Sequence, residues 1–414
     1  MREVRMHLLY LTAEQWPTFR PDIVALFGKY LPRYGVTSDL VTERDIGTIG
    51  NFETPWGGGQ ALLRNVPRNR AGQYWVKFWH NLCALINMDA KKYDAIQVRD
   101  MTVTALTGLI VARLKGVPFF YWLSYPQSEG QVARAKARGF KAGMRFWFPL
   151  AQGTFGKWLL YRFVLPQADH VFVQSHQMQV DIAQHGIPMA KMTPVPMGVD
   201  TEIASPEFIQ RSDDLRLVGK RVMVYLGTMD PIRQIEILFQ MLAIVRELTP
   251  NILLVLVGDT EDSSHRAWLK QEARRLGVTE YILWAGWLPA SQAWGYVRVA
   301  EIGLSPIPRG YLLDMGSPTK AVEYMALGLP VVANDNPDQA MVIEESGAGI
   351  CVPLHGKAFA EAVVGLLKTP ETMRRMGVKG RQYVASNRGY DSIARAVASV
   401  YKNLGETAIE RHSN

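Results

Sequence analysis

The stretch from Ala300 to Ala333, AEIGLSPIPRGYLLDMGSPTKAVEYMALGLPVVA, constrains the fold of this chain more than any other. Ile302–Pro306 reads as a short buried strand, Tyr311–Gly316 as a loop, and Ser317 and Pro318 as the N-cap and first position of a helix, where proline's fixed φ and missing N–H cost nothing. Gly328 and Pro330 close the helix, and Val331–Ala333 returns as a second buried strand. In an open parallel sheet such a loop lies at the carboxyl edge, where ligands bind, and the free N–H groups of the helix start point out of it. Lys320 sits at the positive end of the helix dipole, which is unfavourable by roughly 0.3–1 kcal/mol unless an anion lies between. Glu323 follows on the same face. Taken alone, Lys320 and Glu323 read as a solvated surface pair. Together with Gly316, Ser317 and Thr319 they offer phosphate donors and a carboxylate suited to ribose hydroxyls.

The same strand–helix alternation recurs along the chain. Met6–Thr12, Tyr93–Val98, Phe119–Leu123 and Ala168–Gln174 read as strands of a first parallel sheet, and Arg221–Leu226, Ile252–Val257 and Tyr281–Ala285 restart the pattern. At 414 residues the chain is too long for one ordinary core. Two Rossmann-like domains are therefore expected, at 1–200 and 221–388, joined by a polar, irregular linker at 201–220. A helix from Tyr390 to Leu404 and a polar, disordered tail complete residues 389–414. Asn51–Arg70, with Gly57, Gly58 and Gly59 at its centre, reads as a mobile loop.

Two cysteines far apart, Cys83 and Cys351, exclude a disulfide framework and suit a reducing, cytoplasmic compartment. The apolar run Leu8–Leu11 is too short for a signal peptide, and no run is long enough to span a bilayer, so any membrane contact is expected to be peripheral. Nearly all of the net charge of +8 lies in Gly130–Leu165, which holds seven Lys/Arg and no Asp or Glu. Phe140, Phe146, Trp147, Phe148, Phe155, Trp158, Tyr161 and Phe163 are interleaved with those cations. Such a stretch suits anionic lipid headgroups. A solvated helix hairpin whose aromatics pack on the N-terminal domain is the simpler structural account. Nucleic acid is set aside, because no recognisable nucleic-acid module is present.

SPTKAVEYMALGLPVVA, ADHVFVQSHQMQVDIAQHGIPMAKMTPVPMGVD and MVIEESGAGICVP resemble segments of the retaining family 4 glycosyltransferases of GT-B fold. The resemblance runs in order along nearly the whole chain and is strongest from Ala168 to Pro353. It implies an α/β protein of two doubly wound Rossmann-like domains facing each other across a cleft, the first binding acceptor and the second a nucleotide sugar. The implied hexosyltransferase reaction moves a sugar from a nucleotide diphosphate sugar to a hydroxyl acceptor. Combined with the basic stretch, it points to a lipid-linked saccharide at the cytoplasmic membrane face, as in bacterial polysaccharide or glycolipid assembly.

Carried over by position, the resemblance implies that Glu323 binds ribose and that Gly227, Thr228, Asp314, Met315, Gly316, Ser317, Pro318, Thr319, Trp287 and Leu288 surround the donor. The family's GRxxxxKG pattern falls on GTMDPIRQ, so Thr228 stands at the Arg position, Arg233 at the Lys position and Gln234 at the second Gly. Arg233 and Lys320 are the candidate catalytic cations. Met315 stands at the first Glu of the E-x7-E motif, which leaves Asp314 as the neighbour able to read the sugar. The family's first-loop Gly-Gly is replaced by EQWPTFRPD, where Arg20 offers a charge. Asp100 and Ser124, at strand ends, are the other acceptor-side candidates, and YWLSYP supplies no catalytic His. No Asp-x-Asp is present, so neither a metal nor another cofactor is expected. Two other readings are a non-catalytic nucleotide-binding or membrane-scaffolding family member and a GT-B nucleotide-sugar epimerase.

Overall fold

The computed structural model describes residues 5–18, 20–44, 55–65 and 70–413. The chain divides into two units, Met1–Pro196 with Tyr390–Asn414, and Met197–Gly389. In the first, the apolar runs form β1 (Met6–Leu11), β2 (Val36–Glu43), β3 (Ala61–Arg64), β4 (Ala95–Arg99), β5 (Phe119–Leu123), β6 (His170–Val173) and β7 (Met192–Pro194). They pair in parallel in the order β3-β2-β1-β4-β5-β6-β7. The order reverses direction between β1 and β4, the point at which open α/β sheets bind ligands.

Alternation along the strands sorts side chains to two faces. Leu8, Tyr10, Phe120, Trp122 and Phe172 pack on helix Asp22–Tyr30 and on the C-terminal helix Tyr390–Ser413, whose Tyr401 hydroxyl donates to buried Gln97. Ile96, Val98 and Phe119 face the other way, towards Gly108 of helix Thr102–Lys115, where a Cβ would meet Phe119 at 3.1 Å. That side also carries helices Arg70–Ile86, Gln127–Arg138 and Met144–Leu159.

The second unit contains β8 (Arg221–Leu226), β9 (Ile252–Val257), β10 (Ile282–Gly286), β11 (Ile302–Ser305), β12 (Val331–Asn334) and β13 (Gly349–Val352). They form a parallel sheet in the order β10-β9-β8-β11-β12-β13, with its reversal between β8 and β11. One face packs on helices Ile237–Leu248 and Gly356–Leu367, and the other on helix Thr319–Ala326.

Three local expectations differ from the structure. Residues 55–65 of the expected mobile loop are packed: Trp56 lies edge-on to Trp16 with ring centroids 5.1 Å apart, its Nε1 donates to the Ser38 carbonyl at 2.6 Å, and β3 follows. The glycines there serve close approach, since a Cβ on Gly57 would lie 2.0 Å from the Gly28 carbonyl oxygen and one on Gly59 2.6 Å from Asp39 Oδ1. The remainder of that expectation, 51–54 and 66–69, lies outside the described residues. The stretch read as a linker lies on the second unit, where Ala204 and Ile209 enter the core and Tyr296 donates to Asp214 at 2.8 Å. The chain instead passes between the units at Pro196 and Met197. The C-terminal helix runs on to Ser413, through most of the expected tail.

Candidate functional site

At the carboxyl edge of the second sheet, three strand ends are joined through glycine backbone. Gly227 N donates to the Val257 carbonyl at 2.9 Å and Gly258 N to the Gly286 carbonyl at 2.8 Å. A Cβ on Gly258 would sit 2.1 Å from the Gly227 carbonyl oxygen, so no side chain fits there. Helix Thr319–Ala326 is held against this edge by Tyr324, whose hydroxyl accepts the Leu226 N–H at 2.8 Å. Lys320, in its first turn, extends over Gly227: a Cβ there would meet Lys320 Cε at 2.7 Å. Its ammonium lies 5.4 Å from the Tyr225 ring centroid.

Arg233 sits on the short turn Pro231–Arg233, which Gln234 ends in the left-handed region at φ 49°, near enough for its charge to act on Lys320 and Tyr225. Arg233 Nε is buried and has no hydrogen-bond partner. Among the described residues no carboxylate lies within ion-pair distance of Arg233 or Lys320. Burial, reinforced by the Arg233 guanidinium and partly offset by Glu323, pushes the Lys320 ammonium down to about 8. Two neighbouring cations with no ion-paired carboxylate among the described residues suit an anion, and the helix start at Thr319 has no side-chain cap.

The remaining donor-side residues are placed as follows. Glu323 Oε2 accepts a hydrogen bond from Trp294 Nε1 at 3.1 Å. The helix begins at Thr319 with Pro318 as its cap, not at Pro318 with Ser317 as cap. Ser317 is turned inward instead: its hydroxyl donates to Asp338 Oδ2 at 2.7 Å and accepts from Met197 N at 2.9 Å and Arg388 Nη1 at 3.3 Å. The Met315 side chain is wholly buried and cannot face a ligand. Gly316 lies between these two inward-facing residues, and its N–H is bonded to the Leu313 carbonyl at 3.3 Å. Asp314 is tied to Arg309, Nε to Oδ1, at 2.9 Å, which occupies the carboxylate expected to read the sugar. Thr228 offers no charge, and its carbonyl accepts from Tyr225 at 2.8 Å. Trp287 is exposed just beyond Gly286, while Leu288 packs on the core.

In the first unit the structure brings Arg20, Asp100 and Ser124 together. Asp100 follows β4 with φ 56° and accepts from the Ser124 hydroxyl and from the backbone N–H of Ser124 at 2.8 Å and of Tyr125 at 3.3 Å. Burial pushes its carboxyl up despite the neighbouring Arg99 guanidinium. Arg20 Nη2 lies 3.5 Å from Ser124 Oγ. Beneath them Arg99 pairs with Asp22 at 2.6 Å, and Arg99 Nε and Nη1 and Asp22 Oδ1 are buried without hydrogen-bond partners. Three donors already use the Asp100 oxygens, so this carboxylate clamps the loops after β4 and β5. Sequence reasoning missed Asp22, Arg99, Trp294, Asp338 and Arg388. Only the local pattern RD at the end of β4 carried any signal of them.

Two family models match the chain, one described as glycosyl transferases group 1 over residues 220–369 and one as a glycosyl transferase 4-like domain over residues 15–198. The chain belongs to the family 4 glycosyltransferases. This family 4 chain is 24% identical to spore coat protein SA of Bacillus subtilis over 51% of its own length and 59% of that protein's. It is 25% identical to the GDP-mannose-dependent alpha-(1-6)-phosphatidylinositol monomannoside mannosyltransferase of Mycobacterium tuberculosis, over 51% and 56% of the two chains. The family 4 chain thus spans little more than half the length of these relatives. Among solved structures, HepE of Anabaena in complex with UDP matches it with TM-score 0.66 and 17% identity, over 96% of this chain and 100% of that one. Both sheets agree with the doubly wound domains of the GT-B class.

The basic stretch of the family 4 chain forms a helical hairpin in the first unit, Gln127–Arg138 against Met144–Leu159. Its aromatics do not all pack inward: Phe140, Trp147, Phe148, Phe155 and Trp158 are between 52% and 69% exposed. Trp147, Leu150, Phe155 and Trp158 line an open apolar groove of about 720 Å³. Neighbouring helices on the same side of the sheet expose Trp75, Trp79, Ile110 and Leu114. Among the described residues no helix is long and apolar enough to cross a membrane.

Proposed function

We propose that this protein transfers a sugar from a nucleoside diphosphate sugar, with retention at the anomeric carbon, to a hydroxyl of a lipid-linked saccharide at the cytoplasmic face of an anionic membrane. The observation that carries the donor half is Lys320 lying over bare backbone at Gly227 with the Arg233 charge near enough to act on it, and no carboxylate within ion-pair distance of either among the described residues. As the bond from the sugar to the diphosphate breaks, negative charge grows on the departing oxygen. Fixed cations aimed at that charge are usually the largest catalytic contribution. In this reading Arg233 and Lys320 take the part a metal would otherwise play on the diphosphate. The UDP complex of the structural neighbour and the GDP-mannose in the relative's name support a nucleotide sugar of this kind. Retention rests on the family resemblance.

A thermal-shift panel of UDP, GDP, ADP and their common sugars, without added metal, tests the donor site. A nucleotide at 100 times its Kd should stabilise the fold by about 2.7 kcal/mol, and Lys320→Ala should abolish most of that shift. No shift from any nucleotide, in protein shown to be folded, would sink the reading.

The membrane half rests on the exposed aromatics and seven cations of Gly130–Leu165, and the phosphatidylinositol mannoside in the relative's name supports a lipid acceptor. Each basic residue near an anionic surface contributes about 1 kcal/mol. Changing Lys141, Arg145, Lys157 and Arg162 to Gln should therefore weaken co-sedimentation with anionic vesicles by more than about 100-fold, allowing for incomplete engagement of all four. Equal binding to neutral vesicles, or none lost on neutralisation, would overturn it.

A further inference from the structure

Helix Ala290–Val297 lies just before β11 and was not expected to touch the donor site. Its Trp294 packs against the core of the second unit and aims its indole N–H at Glu323, Nε1 to Oε2 at 3.1 Å. We infer that Trp294 is the positioning residue that keeps Glu323 away from Lys320 and presents it to the ribose hydroxyls of the nucleotide. This rests on the reading of Glu323 as the ribose ligand.

Glu323 follows Lys320 by one helical turn, a spacing at which opposite charges ordinarily pair. Here they do not come within ion-pair distance, although Lys320 still feels the Glu323 charge. An ion pair between them would take both groups out of use, the ammonium from the diphosphate and the carboxylate from the sugar ring of the nucleoside. The indole N–H is a donor only and is carried on a rigid ring, so its bond selects one position of the carboxylate. It occupies one acceptor site of Oε2, and among the described residues no donor is bonded to Oε1, which can take hydroxyl donors. The hydrogen bond therefore divides the labour of two residues on one helix face.

The test compares whichever of UDP, GDP or ADP binds best with its 2′,3′-dideoxy counterpart, by calorimetric titration at one pH. Wild type should prefer the ribonucleotide by more than tenfold, and Glu323→Ala should remove the preference. If wild type has none, or Glu323→Ala keeps it, the ribose reading of Glu323 itself fails and this inference with it. Trp294→Phe keeps the ring and loses the N–H. It should cut the preference about tenfold, the loss expected of one hydrogen bond to a charged acceptor, while dideoxynucleotide affinity changes less than about twofold. Trp294→His, which returns a ring N–H, should recover part of the preference. A Trp294→Phe protein that loses affinity for both nucleotides equally, or for neither, would overturn the role of Trp294 and leave that of Glu323 intact.

Discussion

Lys320→Ala should lower kcat/KM for the donor sugar by about 10²–10³-fold, the range seen when one fixed donor to developing negative charge is removed. The loss should be large because Lys320 has no substitute. Thr228, at the place that the family resemblance assigns to an Arg, is uncharged, and Arg233 is the cation whose charge bears on Lys320. Uncharged Met at position 320 should do no better than Ala, whereas Arg should recover part of the loss. The same residue sets a pH dependence whose sign follows from its surroundings. In the free protein its ammonium titrates near 8, down from an ordinary 10.5, because burial and Arg233 disfavour the charge. A bound diphosphate favours the charge. Nucleotide affinity should therefore be level below about pH 8 and fall as pH rises through it, and Lys320→Ala should flatten that fall. Stability of the unliganded protein should move oppositely. Between pH 8 and 10.5 the unfolded chain holds a proton at Lys320 that the folded chain has lost, so this group adds stability as pH rises. Affinity that rises above pH 8 in wild type would contradict the assignment.

Arg388→Met should cost about 3–5 kcal/mol of stability in the second unit, the usual result of removing one partner of a buried ion pair. Arg388 and Asp338 are each 2% exposed and meet at 2.7 Å, Nη2 to Oδ1. Arg388 also donates to Ser317 Oγ at 3.3 Å and to the Met197 carbonyl at 3.4 Å, and Val199 N donates back to the Arg388 carbonyl at 2.9 Å. Without the guanidinium, Asp338 is left buried and without its countercharge, keeping the Ser317 hydroxyl as its side-chain donor among the described residues. Urea unfolding should show the loss. The double change Arg388→Met with Asp338→Leu should recover much of it, since an apolar pair of similar volume avoids the desolvation of both charges. A single mutant as stable as wild type would show that the pair contributes nothing.

Most strands and helices were legible because their signals are local. β9 is an uninterrupted apolar run, β8, β11 and β12 are apolar but for Arg221, Ser305 and Asn334 at their ends, and helix Thr102–Lys115 ends at Gly116, which adopts the left-handed conformation of a C-cap at φ 69°. The candidate site was legible in part. Arg233, Lys320 and Glu323 were placed by motif, and the structure brings the two cations together. Ser317 and Met315 illustrate what pattern could not convey. Both stand in the motif, yet both face inward, because a buried Arg and Asp and the hydrophobic core compete for them.

By itself the sequence determined the parallel α/β order, the motif at the start of helix Thr319–Ala326 and an acid-free basic stretch rich in aromatics. Each depends on residues within a few turns of one another, where periodicity and turn chemistry act. The tertiary structure alone decided which groups are partnered. Trp294 meets Glu323 across 29 residues, Arg388 meets Ser317 across 71, and the aromatics of helix Met144–Leu159 remain uncovered. A hydrogen bond or ion pair in the interior depends on direction and distance to within an ångström, which only the packed chain sets.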